Sequence, residues 1–159
     1  MRSTSRAIPA LWPDQGARHN NAMDPSCIFC KIAAGTAPAY LVYEDDTAVA
    51  FLDLAPLRQG HTLVIPRTHV PDIMSDGGGQ ALIDIGPAIH HVSRRLMEVF
   101  NADGINLLQA NRAAAGQVVF HLHVHLVPRH EGDRSPLRWD RDAEAADHVE
   151  QTHALVTGG

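Results

Sequence analysis

The chain has 159 residues, of which 45% are hydrophobic and 19% charged, and its formal net charge is −5. This size and composition suit one domain with a buried core. The acidic balance argues against nucleic acid as a bulk partner, because binding a nucleic-acid backbone requires clustered lysine and arginine. No apolar run approaches the roughly 18–20 residues that span a bilayer, so we expect no membrane partner.

The chain contains two cysteines, Cys27 and Cys30, and 11 histidines. Two thiols this close together do not make the disulfide framework of a small secreted domain. They fit a reducing compartment and a role in metal binding or redox chemistry, so we expect a cytoplasmic protein. Histidine suits proton transfer near neutral pH.

Residues 1–22 differ in composition from the rest of the chain. They contain two prolines, a glycine and adjacent asparagines, and they show no apolar periodicity. We therefore expect a disordered N-terminal extension. Two other interpretations stay open: a transit peptide, because the segment carries arginine and serine and almost no acid, or a segment upstream of a true start at Met23.

The rest of the chain predicts an α+β domain over residues 23–130. Apolar spacing and turn residues predict a short N-terminal helix, one long helix and five strands, at 27–34, 40–44, 47–52, 61–65, 82–99, 105–109 and 118–127. Apolar residues three and four apart mark the long helix, which Pro87 should kink or restart. Short turns between most strands favour an antiparallel sheet. The polar tail, 131–159, is expected to be irregular or to form a short segment that packs on a partner.

The segment from Val118 to Val127 is the most informative part of the sequence. Side chains alternate between the two faces of a strand. One face would be wholly apolar and buried, and it consists of Val118, Phe120, Leu122, Val124 and Leu126. The other face carries three imidazoles, those of His121, His123 and His125.

Three imidazoles on one strand face allow several interpretations. A solvated strand would normally mix lysine, glutamate and threonine. A single metal ion bound by all three is also disfavoured, because the outer pair lies roughly 13 Å apart along a strand and zinc–nitrogen bonds are about 2 Å long. Three different roles fit better. Just upstream, Gly116 would let backbone N–H groups approach an anion, and Asn111 is a neutral donor, so we predict a phosphate site.

Gly116-Gln117 followed by His121-Leu-His123-Val-His125-Leu-Val resembles the signature of the histidine-triad (HIT) family. The resemblance runs from about Cys27 to Arg129. Its other blocks are Cys27-Ile-Phe-Cys30-Lys-Ile, Tyr43-Glu-Asp, Ala50-Phe-Leu-Asp53 and Gly60-His61-Thr-Leu-Val-Ile-Pro-Arg-Thr-His69. It implies a HIT-like fold with a five-stranded antiparallel sheet, and a homodimer whose two sheets join into one.

The resemblance also implies a reaction on a purine nucleotide. The middle histidine, His123, would attack the α-phosphorus of an adenosine nucleotide and form a covalent nucleotidyl-histidine, from which water releases AMP. His125 would bind the phosphoryl oxygen and help to protonate the leaving group. Adenosine phosphoramidates are the first expected substrates, and dinucleoside polyphosphates the second.

Further positions match the family's nucleotide-binding residues. Asp53 matches the residue that binds the ribose hydroxyls, and Asn111 a phosphate contact. The base pocket is matched by Phe29, Ile32 and Leu54, and the amides that stabilise negative charge by Gly116, Gln117 and Val118.

Three residues depart from the family pattern. Val118 stands where many members have serine or threonine, Ala110 where an asparagine or glutamine is common, and Arg112 where glycine is common. The Val118 departure keeps a second hypothesis open, a nucleotide-binding regulatory protein with little turnover. A zinc-dependent hydrolase that uses metal-bound water is a third.

The spacing Cys27-x-x-Cys30 is typical of zinc ligands, although inert thiols or a redox pair would show it too. The chain resembles a bacterial zinc-binding subgroup of the family, which has this cysteine pair together with the histidine of the Pro-x-x-His block. That resemblance implies a structural zinc ion bound by Cys27, Cys30, His69 and His121.

Overall fold

The computed structural model describes residues 23–133 and 141–158. Its sheet has five strands: β1 Leu41–Glu44, β2 Ala48–Leu52, β3 Thr62–Pro66, β4 Gly104–Leu108 and β5 Val124–Arg129. The strand order is β1-β2-β3-β5-β4, and every neighbouring pair is antiparallel. The predicted α+β architecture is confirmed. The expected extension over residues 1–22 lies outside the described part of the chain.

The helices are α1 Ile28–Ala33, α2 Gly78–Asp84, α3 Gly86–Phe100, α4 Ala143–Asp147 and α5 Val149–Thr157, with a 3-10 turn at Ala113–Ala115. Pro87 lies in the first turn of α3, where its missing N–H costs no hydrogen bond. The proline therefore restarts the helix, one of the two predicted outcomes. Within residues 23–133 and 141–158, no helix is both long and apolar enough to cross a bilayer.

The sheet is covered on both faces. On one face, Val92 and Leu96 of α3 pack with Ala50, Val64 and other strand residues. On the other, α1 packs against β2 and β3, in a cluster that consists of Phe29, Ile32, Ala33, Val49, Phe51, Leu63 and Ile65. Burial on both faces explains why β2 is apolar throughout and β3 is apolar from Leu63 onward.

The prediction of a strand from Val118 is wrong. β5 begins at Val124, and Val118 and Phe120 are 85% and 53% exposed instead of buried. The predicted alternation does hold later, because Leu122, Val124 and Leu126 are buried in the cluster on the α3 side of the sheet.

Loss of strand partners explains the late start of β5. Pro66, the last residue of β3, has no N–H to donate, and its carbonyl oxygen accepts a hydrogen bond from Nε2 of His121 at 2.9 Å. The ladder between β3 and β5 therefore stops at the pair Val64 and Val124. On the other side, β4 ends at Leu108, opposite His125.

The expectation of an irregular tail is also wrong for the described part of residues 131–159. Residues 143–157 form α4 and α5. Asp142 caps α4, since its side chain accepts a hydrogen bond from the Ala145 amide. Thr152 and Val156 of α5 are only 3% exposed, so the tail packs on this same chain.

Candidate functional site

A cavity of about 690 Å³ lies on the α1 side of the sheet. Eight of the predicted nucleotide-binding residues line it: Phe29, Ile32, Asp53, Leu54, Gly116, Val118, His123 and His125. Most of the remaining lining is apolar and includes Phe51, Leu63 and Tyr40. The cavity thus has an apolar part, here called the apolar chamber, which is lined by Phe29, Ile32, Tyr40, Phe51 and Leu63. It also reaches two histidines of the triad, His123 and His125.

Two predicted nucleotide-binding residues, Asn111 and Gln117, do not line the cavity. The side chain of Asn111 accepts hydrogen bonds from the Ile73 amide and from Gln109. The buried side chain of Gln117 accepts from the Arg112 amide and donates to the carbonyl oxygen of Pro71. Both side chains hold the loop that precedes β5, so their observed contacts are structural.

The ring of His123 is held in one tautomer. Its Nδ1 lies 2.6 Å from the carbonyl oxygen of His121. A carbonyl oxygen only accepts hydrogen bonds, so Nδ1 carries the proton and Nε2 keeps its lone pair. The ring of Phe29 packs edge-on against it, with 5.3 Å between centroids. His123 therefore presents an unprotonated nitrogen from a ring that packing keeps in place.

His61 fixes the opposite tautomer in His125. The Leu57 amide donates to Nδ1 of His61 at 3.1 Å, so the proton of His61 must be on Nε2. That nitrogen donates to Nδ1 of His125 at 2.9 Å. His125 then carries its own proton on Nε2. The two histidines that line the cavity therefore differ: His123 presents a lone pair and His125 presents a hydrogen-bond donor.

Burial keeps these imidazoles neutral. Desolvation, together with His61 and His123 nearby, lowers the pKa of His125 to about 3. Desolvation also lowers the pKa of His61 and of His123 from the ordinary histidine value. A neutral His123 retains the lone pair that a nucleophile needs.

Asp53 lies at the end of β2 and lines the same cavity. One carboxylate oxygen accepts from the Ala55 amide at 2.8 Å, and the other lies 3.7 Å from Nδ1 of His61. Its carboxylate is the one acidic group among the cavity-lining side chains of the described residues.

The loop from Arg112 to Val118 contributes backbone to the wall of the cavity that His123 and His125 also line. The amide of Gly116 donates to the Ala113 carbonyl, and that of Gln117 to the Arg112 carbonyl. Among the described residues, no hydrogen bond occupies the amide of Val118. Of the three amides predicted to stabilise an oxyanion, Val118 is therefore the one with an uncommitted N–H.

The backbone of Arg112 adopts a conformation that favours glycine. Arg112 has φ 68° and ψ 162°, a conformation that residues other than glycine adopt at a cost of about 1–3 kcal/mol. Its guanidinium forms an ion pair with Asp72 at 3.2 Å. That carboxylate is tied to the backbone by the amides of Met74 and Ser75. The loop keeps its path even though its arginine is strained.

The four predicted metal ligands come together beside the cavity. Their ligand atoms all lie within 4.8 Å of one another. Nδ1 of His121 lies 3.6 Å from both cysteine sulfurs, and Nδ1 of His69 lies 3.2 Å from Sγ of Cys30. Tetrahedral zinc, with bonds of about 2.3 Å to sulfur and 2.0 Å to nitrogen, separates such atoms by about 3.5 Å. The residues present fit a tetrahedral Cys2His2 site.

The second nitrogen of each histidine ligand supports this assignment. Nε2 of His121 donates to the Pro66 carbonyl oxygen, and Nε2 of His69 lies 3.9 Å from a carboxylate oxygen of Asp24. Such partners orient metal-bound imidazoles and leave the other nitrogen for the ion. Burial raises the pKa of the Cys30 thiol to about 11, and a bound divalent cation would counteract this by stabilising the thiolate.

His61 and Tyr40 have no definite role in the sequence prediction of the site. The link between His61 and His125 is formed across β3 and β5, 64 residues apart in sequence. The blocks that resemble the family include His61, which was the available signal. Tyr40 is the first residue of the predicted strand 40–44, and its sequence context does not mark it as a cavity residue.

Comparison with known proteins agrees with this geometry. Residues 34–132 match the family model described as HIT domain. The chain is 34% identical to adenylylsulfatase HINT3 of Arabidopsis thaliana, over 80% of this chain and 69% of that protein. It is 39% identical to Protein hit of Bacillus subtilis, over 75% of this chain and 82% of that protein.

Among solved structures, a Zn-bound histidine triad family protein from Mycobacterium smegmatis superposes with a TM-score of 0.68 and 37% identity. The match covers 84% of this chain and 94% of that one. The family match, the two relatives, the five-stranded sheet and the Cys2His2 set agree with one another. The chain therefore belongs to the HIT family of nucleotide hydrolases and transferases.

Proposed function

We propose that this protein cleaves adenosine nucleotides at the α-phosphate by covalent catalysis, with His123 as the nucleophile. The observation that carries the proposal is the hydrogen bond from Nδ1 of His123 to the His121 carbonyl. It leaves the lone pair on Nε2, in a ring that lines the cavity.

The reaction follows from the two tautomers. Nε2 of His123 attacks the α-phosphorus, a phosphorus–nitrogen bond forms, and the bond to the leaving group breaks. His125 donates a hydrogen bond from Nε2 to the departing atom, which takes up a proton from solvent as it leaves. Water then attacks the nucleotidyl-histidine, gives up a proton to solvent and releases AMP with His123 restored. Two easier displacements replace one difficult one.

The rest of the cavity matches the rest of an adenosine nucleotide. Phe29, Ile32 and Leu54 offer apolar surface for the base. Asp53 offers a carboxylate oxygen for the ribose hydroxyls. The Val118 amide supplies a donor for a phosphoryl oxygen, in place of the hydroxyl that many relatives have there. One such donor is worth about 2.7–4 kcal/mol in the transition state of other enzymes.

The wall of the cavity favours a phosphoramidate over a dinucleoside polyphosphate. Among the described residues, no lysine or arginine lines it, and a polyphosphate leaving group needs cations to offset its charge. Ala110, Ala115 and Val118 border the histidines instead. The name of the Arabidopsis relative makes adenylyl sulfate a third substrate to compare.

Replacing His123 with alanine should abolish turnover of an adenosine phosphoramidate, with kcat reduced at least about a thousandfold, because no other group supplies the nucleophile. Release of AMP measures this. Intact-protein mass spectrometry of quenched wild type should show one nucleotidyl adduct, absent from the variant. His90→Ala is the matched control, since His90 is exposed on α3 and its loss should leave kcat unchanged.

Two results would contradict the proposal. Retained turnover in a folded His123→Ala variant would exclude this nucleophile. Binding of AMP by wild type without turnover of any of the three substrates would favour the alternative, a nucleotide-binding regulatory protein.

We infer that the Cys2His2 site holds one structural zinc ion. Four protein ligands leave no position for a catalytic water, which argues against a zinc-dependent hydrolase. The ion would connect the start of α1 with His69, which lies in the loop after β3, and with His121. It would thereby fix the segment that bears His123. The unpaired thiols fit a reducing compartment such as the cytoplasm.

Metal analysis of the purified chain should find one zinc per chain. The double variant Cys27→Ser and Cys30→Ser should lose the ion and melt at a lower temperature, because binding free energy of a structural ion is also folding free energy. His130→Ala, which removes an exposed imidazole, should keep both the zinc and the melting temperature. A double variant with full zinc content would contradict the assignment.

We also infer that the protein is a homodimer joined through β4. This strand is an edge of the sheet, and Leu107 on it is 52% exposed. Edge strands pair readily with another chain, and exposed apolar residues mark interfaces. Sedimentation should give twice the chain mass of 17.3 kDa. Leu107→Asp should give a monomer and Ile83→Asp, exposed on α2, should not. A monomeric wild type would contradict the inference.

A further inference from the structure

The C-terminal segment, residues 141–158, lies beyond the family match, which ends at residue 132. Some of its contacts reach residues that line the cavity, namely Tyr40 before β1 and Leu54 after β2. These contacts link the segment to the candidate nucleotide site.

The first link is at the start of α4. The backbone N–H of Asp142 donates to the Pro56 carbonyl oxygen at 2.8 Å. The guanidinium of Arg141 donates to the Leu54 carbonyl oxygen at 3.3 Å. Leu54 and Ala55, which lie in this loop, line the cavity. The loop after β2 is thus tied to the C-terminal segment by its own backbone.

The second link runs from α5 to Tyr40. Nε2 of His153 donates to the Leu41 carbonyl oxygen at 2.7 Å, and its ring lies 5.7 Å from that of Tyr40, centroid to centroid. The hydroxyl of Tyr40 donates to Glu150 at 3.4 Å. Two side chains of one helix therefore contact a cavity-lining tyrosine, one at its ring and one at its hydroxyl.

Helix α5 is itself held firmly to the domain. Arg95 of α3 donates from Nε to the Val156 carbonyl oxygen at 2.7 Å. Val156 belongs to the core cluster on the α3 side of the sheet. The buried hydroxyl of Thr152 accepts from Gln59 at 3.2 Å. Because α5 is anchored in this way, its side chains can hold the residues that they contact in fixed positions.

We propose that residues 141–157 are a positioning element of the nucleotide site, and that His153 and Glu150 set the affinity for the nucleoside by fixing Tyr40. The proposal rests on the proposed function. Tyr40 lies in the apolar chamber with Phe29 and Ile32, where the base would bind. Neither His153 nor Glu150 touches the histidines that perform the reaction, so these residues should affect binding and not the chemical step.

The test compares AMP binding by calorimetry and phosphoramidate turnover in variants of the full chain. His153→Ala should raise the Kd for AMP and the KM about threefold to thirtyfold, with kcat within twofold of wild type. Glu150→Ala, at an exposed position where loss of folding is not expected, should raise both constants about twofold to fourfold. Glu150→Gln keeps an acceptor for the Tyr40 hydroxyl, so its Kd for AMP and its KM should equal those of wild type. Gln151→Ala is the control, since this exposed residue of α5 contacts neither cavity wall.

The outcomes separate this proposal from the one on which it rests. A wild type that binds no AMP would overturn the proposed function and this inference with it. Wild-type binding with unchanged Kd in both His153→Ala and Glu150→Ala would overturn the positioning role alone. A fall in kcat that matches the loss of thermal stability, with Kd unchanged, would also overturn it, because a purely structural role predicts that pattern.

Discussion

The hydrogen bond from Nδ1 of His123 to the carbonyl oxygen of His121 is the interaction on which the account of this site depends. It decides which nitrogen keeps a lone pair. Related bonds decide the same for the other histidines: the Pro66 carbonyl holds the proton of His121 on Nε2, and His61 leaves that of His125 on Nε2. Three identical side chains differ in the nitrogen that carries the proton or in its surroundings, because each meets a different hydrogen-bond partner.

The fold supplies those hydrogen-bond partners. β3 ends at Pro66, whose carbonyl is left to the His121 ring, and the chain ahead of β5 bends instead of pairing. The same bend places His121 beside the two cysteines and lets His123 contact the ring of Phe29. The proposed metal ligand His121 and the proposed nucleophile His123 thus lie in one short segment, so an ion that held His121 would also hold His123 in place.

Much of this could be predicted from the sequence, because alternation and motif order are local properties. The fold class and the face that carries the triad follow from them, and the metal ligand set follows from the resemblance to the zinc-binding subgroup. Other features depend on contacts across the fold. Whether Gln117 faces a ligand or a backbone carbonyl depends on the path of its loop, and the role of His61 depends on pairing between β3 and β5. The helices after residue 141 gain their stability from packing on α3, which no periodicity in the tail indicates.

The most direct test of the tautomer assignments is a long-range proton–nitrogen NMR spectrum of the imidazoles in the zinc-loaded protein near neutral pH. We expect His123 to show a protonated Nδ1 and an unprotonated Nε2, while His61 and His125 show the reverse. His121 should show a protonated Nε2. A His123 ring protonated on Nε2, or on both nitrogens, would contradict the account, because its lone pair would then not be available to attack phosphorus.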